Sequence, residues 1–149
     1  MDSGQHVRFL QTAYAGALAD SALQFEKEGI LQKITDRKCQ EDIISGKIRA
    51  AQFGITKPDE VFFKLSELFG CASWDISNSP HGFTARTNKC MLCAIAKKIG
   101  APSPCHLYCL DPMEGLVKAV VEGADFIIRS TLWENSECQI QVITKELTK

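Results

Sequence analysis

The sequence predicts an α+β domain in which helices cover a small antiparallel sheet made of two hairpins. Apolar residues recur at helical spacing through the first 70 residues, and the pattern changes after Gly70 to short alternating segments separated by turn clusters. The 149 residues match the length of one ordinary domain. We therefore interpret 1–149 as a single domain, with a helical region at 1–70 and a cysteine-containing α+β region at 71–149.

Three helices are expected in the helical region. Residues 7–25 carry one apolar stripe, 39–53 form a weaker helix that Gly46 interrupts, and a third helix starts at Pro58 and ends at Gly70. The stripe of the first helix is expected to contain Leu10, Ala13, Tyr14, Ala17, Leu18, Ala22 and Phe25.

Two hairpins and further helices are expected in the second region. Strands at 71–77 and 83–87 flank a turn at 78–82, and strands at 125–133 and 138–143 flank a turn at 134–137. In the last strand polar and apolar residues alternate, which is typical of a sheet with one solvated face.

Capping residues predict three helix starts between the hairpins. Asn88 can cap a helix that ends at Gly100, and Ser103 can cap a second helix. Asp111, followed by Pro112 and Glu114, resembles a capping box at the start of a third helix.

Composition excludes several classes of function. The formal net charge is -1, with 23% charged and 45% hydrophobic residues, so no field favours nucleic acid or an anionic membrane. The sequence shows neither an apolar run long enough to span a bilayer nor a signal peptide. We expect a cytoplasmic protein whose partner is a small-molecule substrate, and the sequence leaves a homodimer open.

The segment 90–111 is the best candidate for functional chemistry. Cys105 and Cys109 are four residues apart and share a face if the segment is helical. Helix starts favour thiolates, so either cysteine could act as a nucleophile. His106 and Asp111 lie beside them in the sequence and could transfer protons.

Two other interpretations of the cysteines stay open. The seven cysteines are an odd number, and buried packing is the favoured interpretation of Cys39, Cys71 and Cys93 and, from its strand pattern, of Cys138. Alternatively, four thiols could hold zinc or an iron–sulfur cluster, although their spacing is looser than in a zinc ribbon. That alternative metal site would comprise Cys90, Cys93, Cys105 and Cys109.

Residues 83–142 resemble the L-2-amino-thiazoline-4-carboxylic acid hydrolase family. The resemblance depends on the order and spacing of four short segments rather than on one motif. These segments are Lys89-Cys90, the stretch from Pro104 to Asp111, Arg129-Ser130-Thr131-Leu132 with Phe126 before it, and Cys138 at the start of the last strand. The chain departs from the family at Asn135-Ser136-Glu137, where a glycine turn is expected, and in a shorter N-terminal region.

The resemblance implies a cysteine-dependent hydrolase that opens a small cyclic C–N substrate without a cofactor. The catalytic residues would be Cys109 or Cys105 with Asp111 and His106, and we favour Cys109 because it is close to Asp111 in the sequence. Arg129, Thr131, Cys90 and Cys138 would bind the substrate, with Arg129 holding a carboxylate. Alternatively, a more distant similarity to vinyl-reductase-type ligand-binding domains implies a non-enzymatic sensor that binds a small ligand or a metal.

Overall fold

The computed structural model describes residues 1–144. Within this range, five α-helices and one π-helical turn accompany a four-stranded antiparallel sheet, which confirms the predicted α+β class. None of these helices combines the length and the apolar composition needed to cross a membrane. In chain order the elements are α1 (Ser3–Lys27), α2 (Leu31–Gln52), α3 (Pro58–Phe69), β1 (Asp75–Ser79), β2 (Gly82–Thr87), α4 (Met91–Lys98), the π-turn (His106–Leu110), α5 (Asp111–Val120), β3 (Asp125–Ser130) and β4 (Cys138–Ile143).

The sheet has one buried face and one solvated face, as the alternation in the last strand predicts. Its strand order is β1-β2-β4-β3. Across β2 and β4 the pairs that face the core are Phe83 with Val142, Ala85 with Ile140 and Thr87 with Cys138. Gln139 and Gln141 alternate with these buried residues and point to the opposite face.

Several predicted boundaries are wrong. The strand expected at 71–77 begins only at Asp75, and the strand expected at 125–133 ends at Ser130, just after an irregularity in its register with β4. The helix expected at 39–53 starts at Leu31. Asn88 does not cap α4, because Cys90 occupies the N-cap and its Sγ accepts the Cys93 N–H.

The buried face of α1 matches the predicted apolar stripe only in part. Ala22 is buried as predicted, but Leu10 is 62% exposed and Tyr14 is 49% exposed, whereas Ala15 and Ala19 are buried. Ala15 and Ala19 face α4, where a small side chain lets two helices pack closely. Periodicity located the helix correctly, but the larger apolar residues did not mark its contact face.

The predicted helix start at Asp111 is wrong, because the chain is already helical there. Asp111 has helical backbone angles, and its N–H bonds the carbonyl of His106 five residues earlier. The next residue, Pro112, has no N–H to give to Tyr108 and would clash with that carbonyl in a regular α-helix. A π-turn directly before a proline relieves this conflict, so the π-turn and α5 form one continuous helical segment from 105 to 120.

Two glycines allow α2 and α5 to approach closely. A Cβ added to Gly46 would lie 2.7 Å from the carbonyl oxygen of Gly115, and one added to Gly115 would lie 2.7 Å from the carbonyl oxygen of Asp42. Real side chains essentially never make such contacts. The crossing therefore fixes the backbone at Asp42 against α5.

Candidate active site

A cavity of about 260 Å³ lies between the N-terminal helices and the cysteine-containing region. Side chains of α1, α2 and α3 form one part of its wall, and residues from α4, the π-turn and α5 form another. Its lining is mostly apolar, which is typical of a site for a small organic molecule. Five thiols line it, namely Cys71, Cys90, Cys105, Cys109 and Cys138.

Cys90 has the surroundings of an activated thiol. It is the N-cap of α4, and its Sγ accepts the backbone N–H of Cys93 at 3.5 Å. A hydrogen bond from the Cys93 side chain, and then backbone N–H groups of Cys93 and Leu92, lower the pKa of Cys90 despite its partial burial. The positive end of the α4 dipole acts in the same direction.

Cys93 links Cys90 to a third thiol. The Sγ atoms of Cys93 and Cys105 are 3.6 Å apart and both side chains are buried. Hydrogen bonding from Cys93, and then from Ser103, lowers the pKa of Cys105, while the pKa of Cys93 itself is raised well above the usual range. Because Cys93 has one S–H, it can stabilise one of the two thiolates at a time. Cys90 has the helix N-terminus in addition, so we assign the thiolate to Cys90.

The other thiols of the cavity stay protonated near neutral pH. Burial raises the pKa of Cys109 well above the usual range, and the Cys109 Sγ contacts the Met113 Sδ at 3.7 Å. Burial also raises the pKa of Cys71 to about 11 and that of Cys138 to about 12. The surroundings of Cys109 thus disfavour the thiolate that a nucleophile requires.

The remaining predicted site residues lie outside the lining of the cavity. His106 is exposed and its Nδ1 is 3.0 Å from Oδ1 of Asp111, and neither residue lines the cavity. The Nε of Arg129 donates to the Oε1 of Gln141 on the solvated face of the sheet. Thr131 lies after β3, where its carbonyl accepts the N–H of Asn135. The structure therefore gathers Cys90, Cys105, Cys109 and Cys138 in one cavity and separates the other four candidates from it.

Three charged residues of the cavity, Lys38, Asp42 and Arg49, were not predicted as site residues from the sequence. Asp42 and Arg49 line the wall formed by α2, and Arg49 Nη1 donates to Asp42 Oδ1 at 2.8 Å. Burial raises the pKa of Asp42, although Arg49 opposes this shift. The available signal was the spacing of seven residues between Asp42 and Arg49, which places them on one helix face together with the small residues Gly46 and Ala50.

The four thiols of the alternative metal site are not gathered around a common centre. Within residues 1–144 no group of three or more histidine, cysteine, aspartate or glutamate side chains is arranged to hold a metal ion. Cys90, Cys93 and Cys105 instead form a chain of consecutive contacts. Cys109 lies on the π-turn with Met113 as its sulfur partner.

Comparison with protein-family models, with curated proteins and with solved structures gives no match to this chain. The resemblance to the thiazoline-carboxylate hydrolases therefore stays a prediction from the residues themselves.

Proposed function

We propose that the chain is a cysteine-dependent hydrolase that opens a small cyclic C–N substrate of the thiazoline-carboxylate type, with Cys90 as its nucleophile. One observation carries the proposal: the thiol favoured as a thiolate lies at a helix N-terminus and lines a mostly apolar cavity of small-molecule size. Such a thiolate attacks electrophilic carbon, and the N–H groups that favour it also stabilise developing negative charge.

The reaction needs only the thiolate and water. The Cys90 sulfur adds to the ring carbon between nitrogen and sulfur, the ring C–S bond breaks, and the departing sulfur takes up a proton. The substrate is then held through a new C–S bond to Cys90. Water adds to the same carbon and expels the Cys90 thiolate, which leaves an N-carbamoyl product and regenerates the enzyme.

The cavity offers a replacement for Arg129 as the group that holds a substrate carboxylate. Lys38 and Arg49 both line the wall formed by α2, and the side chain of Arg49 is 37% exposed. Cationic side chains attract carboxylates, most strongly where part of the solvent is excluded. The substrate carboxylate would then lie beside Lys38 and Arg49.

The test is turnover of 2-amino-thiazoline-4-carboxylate by the full chain and by two matched variants. Cys90→Ser should reduce ring opening, followed by NMR, to the uncatalysed rate, because serine is a much weaker nucleophile at neutral pH. Cys39→Ser should keep the full rate, since Cys39 lies on α2 outside the cavity lining. Full activity of Cys90→Ser, or an inactive wild-type chain, would overturn the proposal.

A second candidate is a ligand-binding domain without turnover. The feature that favours it is the burial of three of the five thiols in the cavity, which raises their pKa and makes them poor nucleophiles. Under this alternative the wild-type chain binds the thiazoline and releases it without opening the ring. The same NMR experiment separates the candidates, because it reports both the bound ring and its product.

A further inference from the structure

Two buried polar atoms of the cavity wall have no hydrogen-bond partner. Over residues 1–144, the buried side-chain nitrogen and oxygen atoms that lack a partner are Asp42 Oδ2 and Ser66 Oγ. Both residues line the cavity. Unpartnered buried polar atoms are rare because each costs the free energy of its desolvation. Their location on the same cavity wall indicates a ligand that supplies the missing bonds.

The chemistry of Asp42 defines what that ligand must offer. Arg49 already donates to Oδ1, so the free atom is a carboxylate oxygen that needs a hydrogen-bond donor. The Asp42 side chain is only 9% exposed, and its carbonyl oxygen packs against Gly115 of α5. The α2–α5 crossing therefore fixes the backbone of Asp42 beside the cavity, and its side chain is held by the bond from Arg49.

We propose that Asp42 Oδ2 accepts an N–H of an amidine-type ring and so selects the substrate class of this cavity. Ser66 Oγ, on the wall formed by α3, supplies a second polar contact to the same ligand. A planar amidine has several N–H donors beside one electrophilic carbon, so it can contact an acid while that carbon stays free for a thiol. A ring with a methyl group in place of the amino group lacks the exocyclic donor. The choice of ring rests on the proposed function, whereas the assignment of Asp42 as the acceptor depends on the geometry alone.

The experiment compares two rings that differ in one group. Calorimetry would measure binding of 2-amino-2-thiazoline and of 2-methyl-2-thiazoline to the full chain. The wild-type chain should bind the amino ring about tenfold more tightly or better, which is the factor expected for one hydrogen bond to a charged acceptor. Asp42→Asn should remove that preference. Asp36→Asn, an exposed position on the same helix, should keep it.

A second variant keeps the proposal testable if Asp42→Asn fails to fold. Ser66→Ala should weaken the amino ring several-fold, because a hydroxyl bond to a neutral partner contributes less than a charged one. An unchanged preference in a folded Asp42→Asn variant would overturn the inference, as would equal affinity of the wild-type chain for both rings. If that variant does not fold, an unchanged affinity of Ser66→Ala for the amino ring would overturn it.

The outcome is separate from that of the proposed function. Cys90→Ser should retain the preference for the amino ring, since Asp42 lies on α2 and Cys90 at the start of α4. Loss of turnover in Cys90→Ser with no amino-ring preference in any variant would support the hydrolase and refute the role of Asp42. Preference for the amino ring together with full turnover in Cys90→Ser would support the role of Asp42 and refute Cys90 as the nucleophile.

Discussion

Replacing Gly46 with alanine tests the close crossing of α2 and α5, which holds Asp42 in the cavity wall. The added Cβ would lie 2.7 Å from the Gly115 carbonyl oxygen and 3.1 Å from the Ala119 Cβ. The nearest of these atoms belongs to helix backbone, so relief requires the two helices to separate. Gly16 of α1 is the matched control, because a Cβ there meets no atom within 4 Å.

The change in the free energy of unfolding that each variant should show follows from two opposing effects. Alanine in place of glycine within a helix adds about 1 kcal/mol to the free energy of unfolding, through helix propensity. Overpacking of a close contact subtracts about 1–3 kcal/mol. Gly16→Ala should therefore gain about 1 kcal/mol, and Gly46→Ala should range from no change to a loss of about 2 kcal/mol. The two variants should differ by about 1–3 kcal/mol.

Urea unfolding followed by circular dichroism measures this difference, since α1 to α5 all contribute to the helical signal that is lost on unfolding. The slope of the free energy against urea should be the same in both variants, so that the midpoints can be compared. If Gly46→Ala stabilises the chain as much as Gly16→Ala, the helices do not touch at this point. That result would refute the claim that the α2–α5 crossing holds Asp42 in the cavity wall.

Two further predictions concern the thiols. Diamide should convert the Cys93 and Cys105 thiols, whose sulfurs are 3.6 Å apart, into a disulfide that peptide mass spectrometry detects; a different cysteine pairing would contradict the geometry. Iodoacetamide should alkylate Cys90 at pH values below the ordinary thiol range, because a lowered pKa keeps the reactive thiolate present until the pH falls through it. Cys109 should stay unmodified in the folded chain, and its labelling ahead of Cys90 would reverse our assignment of the nucleophile.

Local patterns predicted most of the elements, and long-range packing determined what the patterns missed. Alternation identified β4, and Pro58 with Gly70 correctly delimited α3, because those signals act within a few residues. On α2 the distribution of apolar residues does not show the buried face. Ile43 and Ile44 are 64% and 82% exposed, whereas Asp42, the residue directly before them, is buried. Composition gives no reason to bury an acid. Only the crossing with α5 shows which face of α2 is covered.

The π-turn shows how one residue changed the expected site. Asp111-Pro112 matched the pattern of a helix start, and the sequence therefore predicted a second helix N-terminus beside Cys109. Since Pro112 instead lies inside a continuous helical segment, no free N–H groups point at Cys109 and its thiol gains no such stabilisation. The same turn, with bonds spanning five residues, brings the exposed His106 next to Asp111, whose side chain is only 10% exposed.

The choice of nucleophile depends on contacts of two different ranges. The Cys90-x-x-Cys93 spacing suffices for the first contact, because an N-cap side chain meets the N–H three residues later in any helix. The start of α4 is itself fixed from elsewhere, since Met91 N–H donates to the Cys71 carbonyl oxygen at 2.8 Å. Cys105 then approaches Cys93 only because its segment packs back onto α4 from twelve residues away. The first contact can be predicted from the sequence and the other two cannot. The sequence therefore identified the cysteine-rich segment but favoured Cys109, whose burial raises its pKa.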